Sequence, residues 1–205
     1  MDLQKFKIEK GNKNFEKDFY NLVLLTGKEV IPTIFSEYTE DLLKYFYKEK
    51  DNQFSYEFVN FATINDKICG MVLSYSFKEK KKIELNTGIL IFKKLRFAFL
   101  KILPNLINSF FVLGNILNGD YYISNIAVYQ EYRNLGIGKA LLNFCEKNAK
   151  NKKQNRIVLE VEKENENAII VYEKLGFRKE KELNLKIKDK KFSFYKMVKN
   201  LNNSF

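Results

Sequence analysis

The sequence contains no histidine, which removes Ser-His-Asp and Cys-His nucleophilic catalysis and the usual zinc sites, because each needs an imidazole. Chemistry in this chain must therefore run on carboxylates, phenols, amides or backbone groups, and no metal site is expected. Only two cysteines occur, Cys69 and Cys145, too few for a disulfide framework. Each lies in an apolar run (KICGMVL, LLNFCEK), where a small buried hydrophobe is expected. The two prolines, Pro32 and Pro104, stand far apart, and no repeat or low-complexity tract divides the chain, so one domain over residues 1–205 is the simplest organisation. The stretch MDLQKFKIEKGNKNFEKDF lacks the apolar centre of a signal peptide, and a reducing cytoplasmic setting is expected.

Arginine is also scarce. Lys plus Arg total 36 against 25 acidic residues, a net +11, and this raises the question of a polyanionic partner. Only four of the basic residues are Arg (Arg96, Arg133, Arg156, Arg178), whereas base and phosphate readout favours the guanidinium fork, and no nucleic-acid-binding motif occurs. No nucleic-acid partner is expected. The excess is local: Lys78 to Lys101 holds eight basic and two acidic residues, more than half of the total surplus.

What is present is a 205-residue chain, 45% apolar, long enough for a sizeable core. A short strand is expected at Leu3 to Ile8. Helical spacing follows from Asn14 to Lys50, with a second helix starting at Pro32. FVNFATI and ICGMVLSYSF flank Asn65-Asp66 and predict a hairpin. YYISNIAVY at 121–129 predicts a strand, residues 136–150 a helix, RIVLEV at 156–161 a strand, Asn165 to Leu175 a helix closed by Gly176, and 192–198 a last strand. Residues 84–118 are rich in Leu, Ile and Phe but interrupted by charge, so two amphipathic helices joined near Pro104 are expected in preference to a membrane span. The expected class is α/β, in an α+β layered form, with a mixed, mostly antiparallel sheet flanked by helices.

The segment that carries chemistry is IAVYQEYRNLGIGKALL, residues 126–142, where Arg133, Gly136 and Gly138 form R-x-x-G-x-G between a strand and a helix. Glycines permit the tight turn, and the unpaired N–H groups of the helix's first turn, aided by its dipole, favour a pyrophosphate. Together with LEV and with N-x-x-A-x-x-x-Y-E-K-L-G-F at Asn165 to Phe177, this pattern resembles the GNAT superfamily of acetyl-coenzyme A dependent N-acetyltransferases, over residues 120–180. Residues 84–118 read as an insertion between the third and fourth family strands.

The resemblance implies a splayed sheet with acetyl-CoA, the co-substrate, lying where strands 121–129 and 156–161 part. It assigns the pyrophosphate to Arg133, Asn134, Leu135, Gly136, Ile137, Gly138, Lys139 and Ala140, and the pantetheine arm to the backbone of Ile126, Ala127 and Val128. Asn165 would contact that arm or cap its helix, and the two are compatible. Tyr172 is the family-matched proton donor to the leaving thiolate; a phenol stays protonated at neutral pH. Oxyanion stabilisation falls to a backbone N–H of 126–128 if a bulge frees it. Glu160, alternating with Leu159 and Val161, is the candidate general base, or else a solvated or ion-paired strand residue, with Glu57 and Glu162 as weaker rivals. Ser124 and Asn125 stand where the family often carries an acidic or polar residue. The function implied is acetyl transfer to a primary amine of a small molecule or peptide by direct attack in a ternary complex. The alternative is a non-catalytic coenzyme-binding or basic-surface module. The 84–118 segment either caps the sheet as ordinary core or serves as a substrate-side lid, a homodimer face or a membrane-surface patch.

Overall fold

In the computed structural model, residues 6–201 are described. Seven strands form one sheet in the order β1-β2-β3-β4-β5-β7-β6. They are β1 (Lys7–Lys10), β2 (Val59–Ile64), β3 (Lys67–Ser76), β4 (Asp120–Val128), β5 (Arg156–Glu162), β6 (Arg178–Ile187) and β7 (Lys190–Asn200). Every neighbouring pair is antiparallel except β4 and β5, which run parallel. The mixed, mostly antiparallel sheet flanked by helices is the class expected. Of the first strand candidate, residues 3–5 lie outside the described residues, and the strand itself runs from Lys7.

The alternation of β2 and β3 sends Val59, Phe61, Met71, Leu73 and Tyr75 to one face and Ala62, Ile64 and Val72 to the other. The first face packs against α1 (Glu16–Thr26), α2 (Val30–Phe35) and α3 (Thr39–Lys48) through Phe19, Leu42, Leu43 and Phe46. The second packs against α6 (Ile137–Asn151) and α7 (Glu166–Lys174) through Leu141, Cys145 and Ile169. Both cysteines are free and buried, and burial pushes the Cys145 thiol up to about 12, so it packs as a hydrophobe. Asn65 and Asp66 both have positive φ (48° and 62°), the geometry a two-residue hairpin turn requires.

Three local expectations are corrected. The region 14–50 holds three helices, because Ser36 takes φ 54° and breaks the path after α2; Pro32 sits inside the first turn of α2, where its missing N–H leaves no bond unmade. The 84–118 segment is two helices, α4 (Phe77–Leu95) and α5 (Phe99–Val112), but the break is at Arg96, with φ 53°, and Pro104 lies within α5. The first of these helices starts directly at the end of β3, where Ser76 and Glu79 form a reciprocal capping box. Finally, RKEKELNLKI forms β6, a whole strand with no counterpart in the sequence reading; it is the sheet's edge, so most of its side chains are exposed and charged, which suppresses both apolar alternation and edge-to-edge pairing.

Candidate active site

β4 and β5 pair only from Asp120↔Arg156 to Ile123↔Leu159, and beyond that point they diverge. The closed end of this V is fixed by a bidentate ion pair, with Arg156 Nε donating to Asp120 Oδ1 at 2.7 Å and Nη2 to Oδ2 at 3.0 Å. Asp120 is buried there and also accepts from the Leu117 N–H. Past Ile123, β3 is the one strand paired with β4 among the described residues. Tyr129 N–H bonds to Cys69 O, and the register places Met71 opposite Ala127 and Leu73 opposite Asn125. Strand alternation therefore turns the N–H and C=O groups of Ile126 and Val128 away from β3, toward the open side of the V. The Val128 carbonyl already accepts from Arg133 Nε at 3.3 Å.

A bulge is present, but two residues before the segment expected: the partners of Leu73 and Ser74 jump from Asn125 to Ile123, so Ser124 is the extra residue. The exposure of backbone donors at 126 and 128 comes from alternation, not from the bulge. Asn125 is turned inward and donates to Thr26 Oγ1 at 2.7 Å, tying β4 to α1. Gly70, opposite Val128, allows the close approach of β3, since a Cβ there would lie 2.6 Å from the Ala127 carbonyl oxygen.

At the outer end of β4 the chain turns into α6. Gly136 is its N-cap residue, with φ 79°, and no side chain caps the helix. The N–H groups of the first turn are thus left for a ligand, beside Arg133 and Lys139 and at the positive end of the helix dipole. A Cβ on Gly136 would meet no protein atom within 4 Å, so the space beside the turn is open. These donors and this space fit the pyrophosphate of a coenzyme. Two residues of the expected phosphate segment stand apart: the Leu135 side chain is exposed and outside the cleft, and the Ala140 N–H is bonded to Gly136 O at 3.0 Å within the helix.

One cavity of about 1770 Å³ joins these features. It takes in Ile126 to Val128, Arg133, Asn134, Gly136 to Lys139, Asn165, Tyr172 and Glu160, and continues between α2, α4 and α5, where Ile34, Leu85, Phe99, Leu106 and Phe110 line it. Asn165 Oδ1 accepts from the Ala168 N–H at 3.2 Å, so it caps α7; the cap uses only the carbonyl oxygen, and the residue also lines the cavity. Tyr172 packs against Phe177, with ring centroids 5.7 Å apart. Burial alone pushes its phenol up to about 12.

Glu160 is partly buried in the cavity wall. Its carboxylate accepts from the Gly114 N–H at 2.9 and 3.0 Å and from Tyr122 Oη at 2.8 Å. Burial raises its pKa above the ordinary carboxylate range; the hydrogen bonds from Tyr122 and Gly114 and the charges of Lys196 and Lys80 offset that only in part. The same burial, with the Glu160 charge beside it, drives the Tyr122 phenol well up. Tyr75 packs on Tyr122, centroids 5.8 Å apart. Its partners are therefore Gly114 and Tyr122, and it makes no ion pair among the described residues. Of its rivals, Glu162 also lines the cavity, whereas Glu57 bonds to the backbone of Asp51 away from it. Tyr122, Tyr75 and Gly114 were not found as site residues from the sequence; the alternation that puts Tyr122 and Glu160 on one face was the available signal for the tyrosine, and nothing local marks Gly114.

The profile of the Acetyltransferase (GNAT) family matches residues 28–177. A 70-residue stretch is 41% identical to N-alpha-acetyltransferase 30 of Schizosaccharomyces pombe (strain 972 / ATCC 24843), covering 34% of this chain and 45% of that protein, so the match spans under half of that relative's length. Among solved structures, an N-acetyltransferase from Staphylococcus aureus Mu50 superposes with TM-score 0.72 at 18% identity over 94% of this chain and 99% of that one. The NatC complex bound to Gag peptide and CoA gives a chain with TM-score 0.56 at 17% identity, over 97% and 99% of the two chains.

Proposed function

Because the chain belongs to the acetyltransferase (GNAT) family, whose members carry out acetyl-CoA-dependent acetylation of amines, we propose that its acceptor is the α-amine of a peptide and that Glu160 and Tyr172 move the protons of the reaction. The observation that carries this reading is that one cavity joins the unpaired donors of α6, the open backbone edge of β4, Tyr172 and Glu160, and then runs on under α4 and α5. The resemblance to a peptide N-terminal acetyltransferase over 70 residues supports a peptide acceptor over a small amine.

Acetyl-CoA supplies the acyl group as an activated thioester. The chain's part is to hold, polarise and exchange protons. The first turn of α6, Arg133 and Lys139 hold the phosphates. The outward N–H groups of Ile126 and Val128 hold the arm and stabilise charge on the carbonyl oxygen. Glu160, in its ionised form, takes a proton from the acceptor's ammonium through a water, because the neutral amine is the nucleophile. Tyr172 Oη, protonated at neutral pH, donates to the sulfur as the C–S bond breaks. Starting from the ammonium, two protons leave nitrogen, one to Glu160 before attack and one from the tetrahedral adduct; Tyr172 gives one to sulfur and is reprotonated, so the products are the amide, the thiol and one proton released to solvent.

Thiol release from acetyl-CoA, measured with a panel of peptides differing at the first two residues and with small primary amines, tests the proposal. Turnover confined to peptides with a free α-amine is expected. Turnover confined to small amines would replace the acceptor class, and no saturable binding of acetyl-CoA by calorimetry would remove the enzymatic reading.

A further inference from the structure

The α4/α5 insertion leaves a surface that neither the fold nor the catalytic cavity uses. Residues 77–112 together are apolar enough over helical length to cross a membrane, yet here they form two separate helices. The two return on each other: Lys80, early in α4, lies over the ring of Phe110, late in α5, at 6.0 Å, while Phe92 meets Phe99 edge-on at 6.0 Å near the turn. The inner faces are already filled, by Ile83, Leu90 and Ile91 on α4 and Ile102 on α5. The outer face of such helices should be polar. Instead Phe92, Phe97 and Leu100 are 57%, 89% and 63% exposed.

The ten residues 92–101, FKKLRFAFLK, carry Lys93, Lys94, Arg96 and Lys101 and no acid. Lys101 is 4.0 Å from Glu37 and Lys94 sits over the Tyr45 ring, but Lys93 and Arg96 have no ion-pair partner among the described residues. We propose that this hairpin tip is a membrane-surface contact that seats on an anionic lipid bilayer, its phenylalanines and leucine entering the interface and its cations meeting the headgroups.

Charge decides between this occupant and a protein. A second copy docking on the same patch through a two-fold axis would set four cations against four cations. The cores of protein interfaces are depleted in lysine, whereas interfacial membrane segments interleave lysine and arginine with phenylalanine and leucine. An apolar tip and a basic cluster also supply the two signals that stable surface attachment needs. The tip borders the cavity, since Ile91 and Phe99 line it. If the acetyltransferase reading holds, the acceptor end of the cavity therefore lies close to the lipid surface; the membrane contact itself does not depend on that reading.

Co-sedimentation of the full chain with vesicles of phosphatidylcholine containing phosphatidylserine, and with phosphatidylcholine alone, tests the proposal. Pelleting with the anionic vesicles that weakens as salt rises is expected. The triple variant Lys93→Glu/Lys94→Glu/Arg96→Glu should lose partitioning by at least about fivefold per cation. Phe92→Ser/Phe97→Ser/Leu100→Ser should lose it as well. The control Lys186→Glu/Lys188→Glu/Lys191→Glu makes the same charge change on the exposed β6–β7 hairpin and should still pellet. Circular dichroism and acetyl-CoA binding show that each variant is folded. Equal pelleting on neutral vesicles, no pelleting at all, or tip variants that pellet like the parent would overturn the proposal. So would self-association, or oligonucleotide binding, that is abolished by the tip variants when vesicles are not bound. Because vesicle binding requires no turnover, failure here leaves the acetyltransferase reading to its own assay.

Discussion

Glu160 is held by groups from two distant parts of the chain, Gly114 at the end of the insertion and Tyr122 on the neighbouring strand; burial raises its pKa, and these two hydrogen bonds offset the rise in part. A raised carboxyl serves as a base only when ionised, so kcat/KM should fall as pH drops through its pKa, at a pH above the ordinary carboxylate range. Glu160→Gln should lower kcat by about 10²-fold or more and flatten that acidic limb. A pH–rate profile in which the limb survives the substitution would assign the titration to another group. Tyr172 works in the opposite sense: burial pushes its phenol up to about 12, so it remains a proton donor throughout the neutral range. Tyr172→Phe keeps the packing on Phe177 and removes only the hydroxyl. Its kcat should fall by about 10²-fold with little change in KM for acetyl-CoA, measured in initial-rate assays.

At the scale of elements, the turn into α6 and the ion pair between β4 and β5 do different work. Gly136 adopts a backbone conformation that costs an L-residue about 1–2 kcal/mol, but no protein atom would touch its Cβ. Gly136→Val should therefore lower the melting temperature by only a few degrees, while the side chain, standing in the open space beside the first turn, should weaken acetyl-CoA binding by about tenfold or more in calorimetry. Asp120→Asn reverses that pattern. It breaks the bidentate pair with Arg156 at the closed end of the V and should cost about 2–3 kcal/mol, seen as a lower melting temperature, with coenzyme affinity nearly kept. The elements around these two features were legible because their apolar periods and turn residues agree: the Asn65-Asp66 hairpin, β4, α6 and α7 all lie where local pattern puts them. The break at Arg96 was not, because a positive φ at an arginine leaves no compositional mark, and Pro104 offered a stronger but misleading one. β6 was hidden by its edge position, which selects charge over alternation. The Glu160 pocket was legible only in part. The carboxylate could be named from its strand, but Gly114 lies 46 residues away and its N–H is brought there by the insertion's path.

For the molecule as a whole, the divergence of β4 and β5 leaves a wedge in the middle of the sheet that no side chain among the described residues closes. The two apolar cores on either side are joined through the sheet, so a ligand in the wedge touches β4, α6 and α7 together and stabilises the native state alone. At about 100 times its Kd, acetyl-CoA should add about 2.7 kcal/mol, a rise of roughly 5–10 °C in melting temperature for a chain of this size. The rise should shrink in Gly136→Val and persist in Tyr172→Phe, which separates binding from chemistry in one thermal assay. It should also depend on salt, because a chain of net +11 with Arg133 and Lys139 beside the α6 terminus attracts a polyanion partly through its long-range field. Raising ionic strength at fixed coenzyme concentration should reduce the shift. The tip variant Lys93→Glu/Lys94→Glu/Arg96→Glu lowers the net charge by six and should weaken that salt dependence without removing it, because the cations at the phosphate turn remain. A tip variant that abolished it would mean that the insertion's cations, and not the α6 terminus, govern coenzyme association.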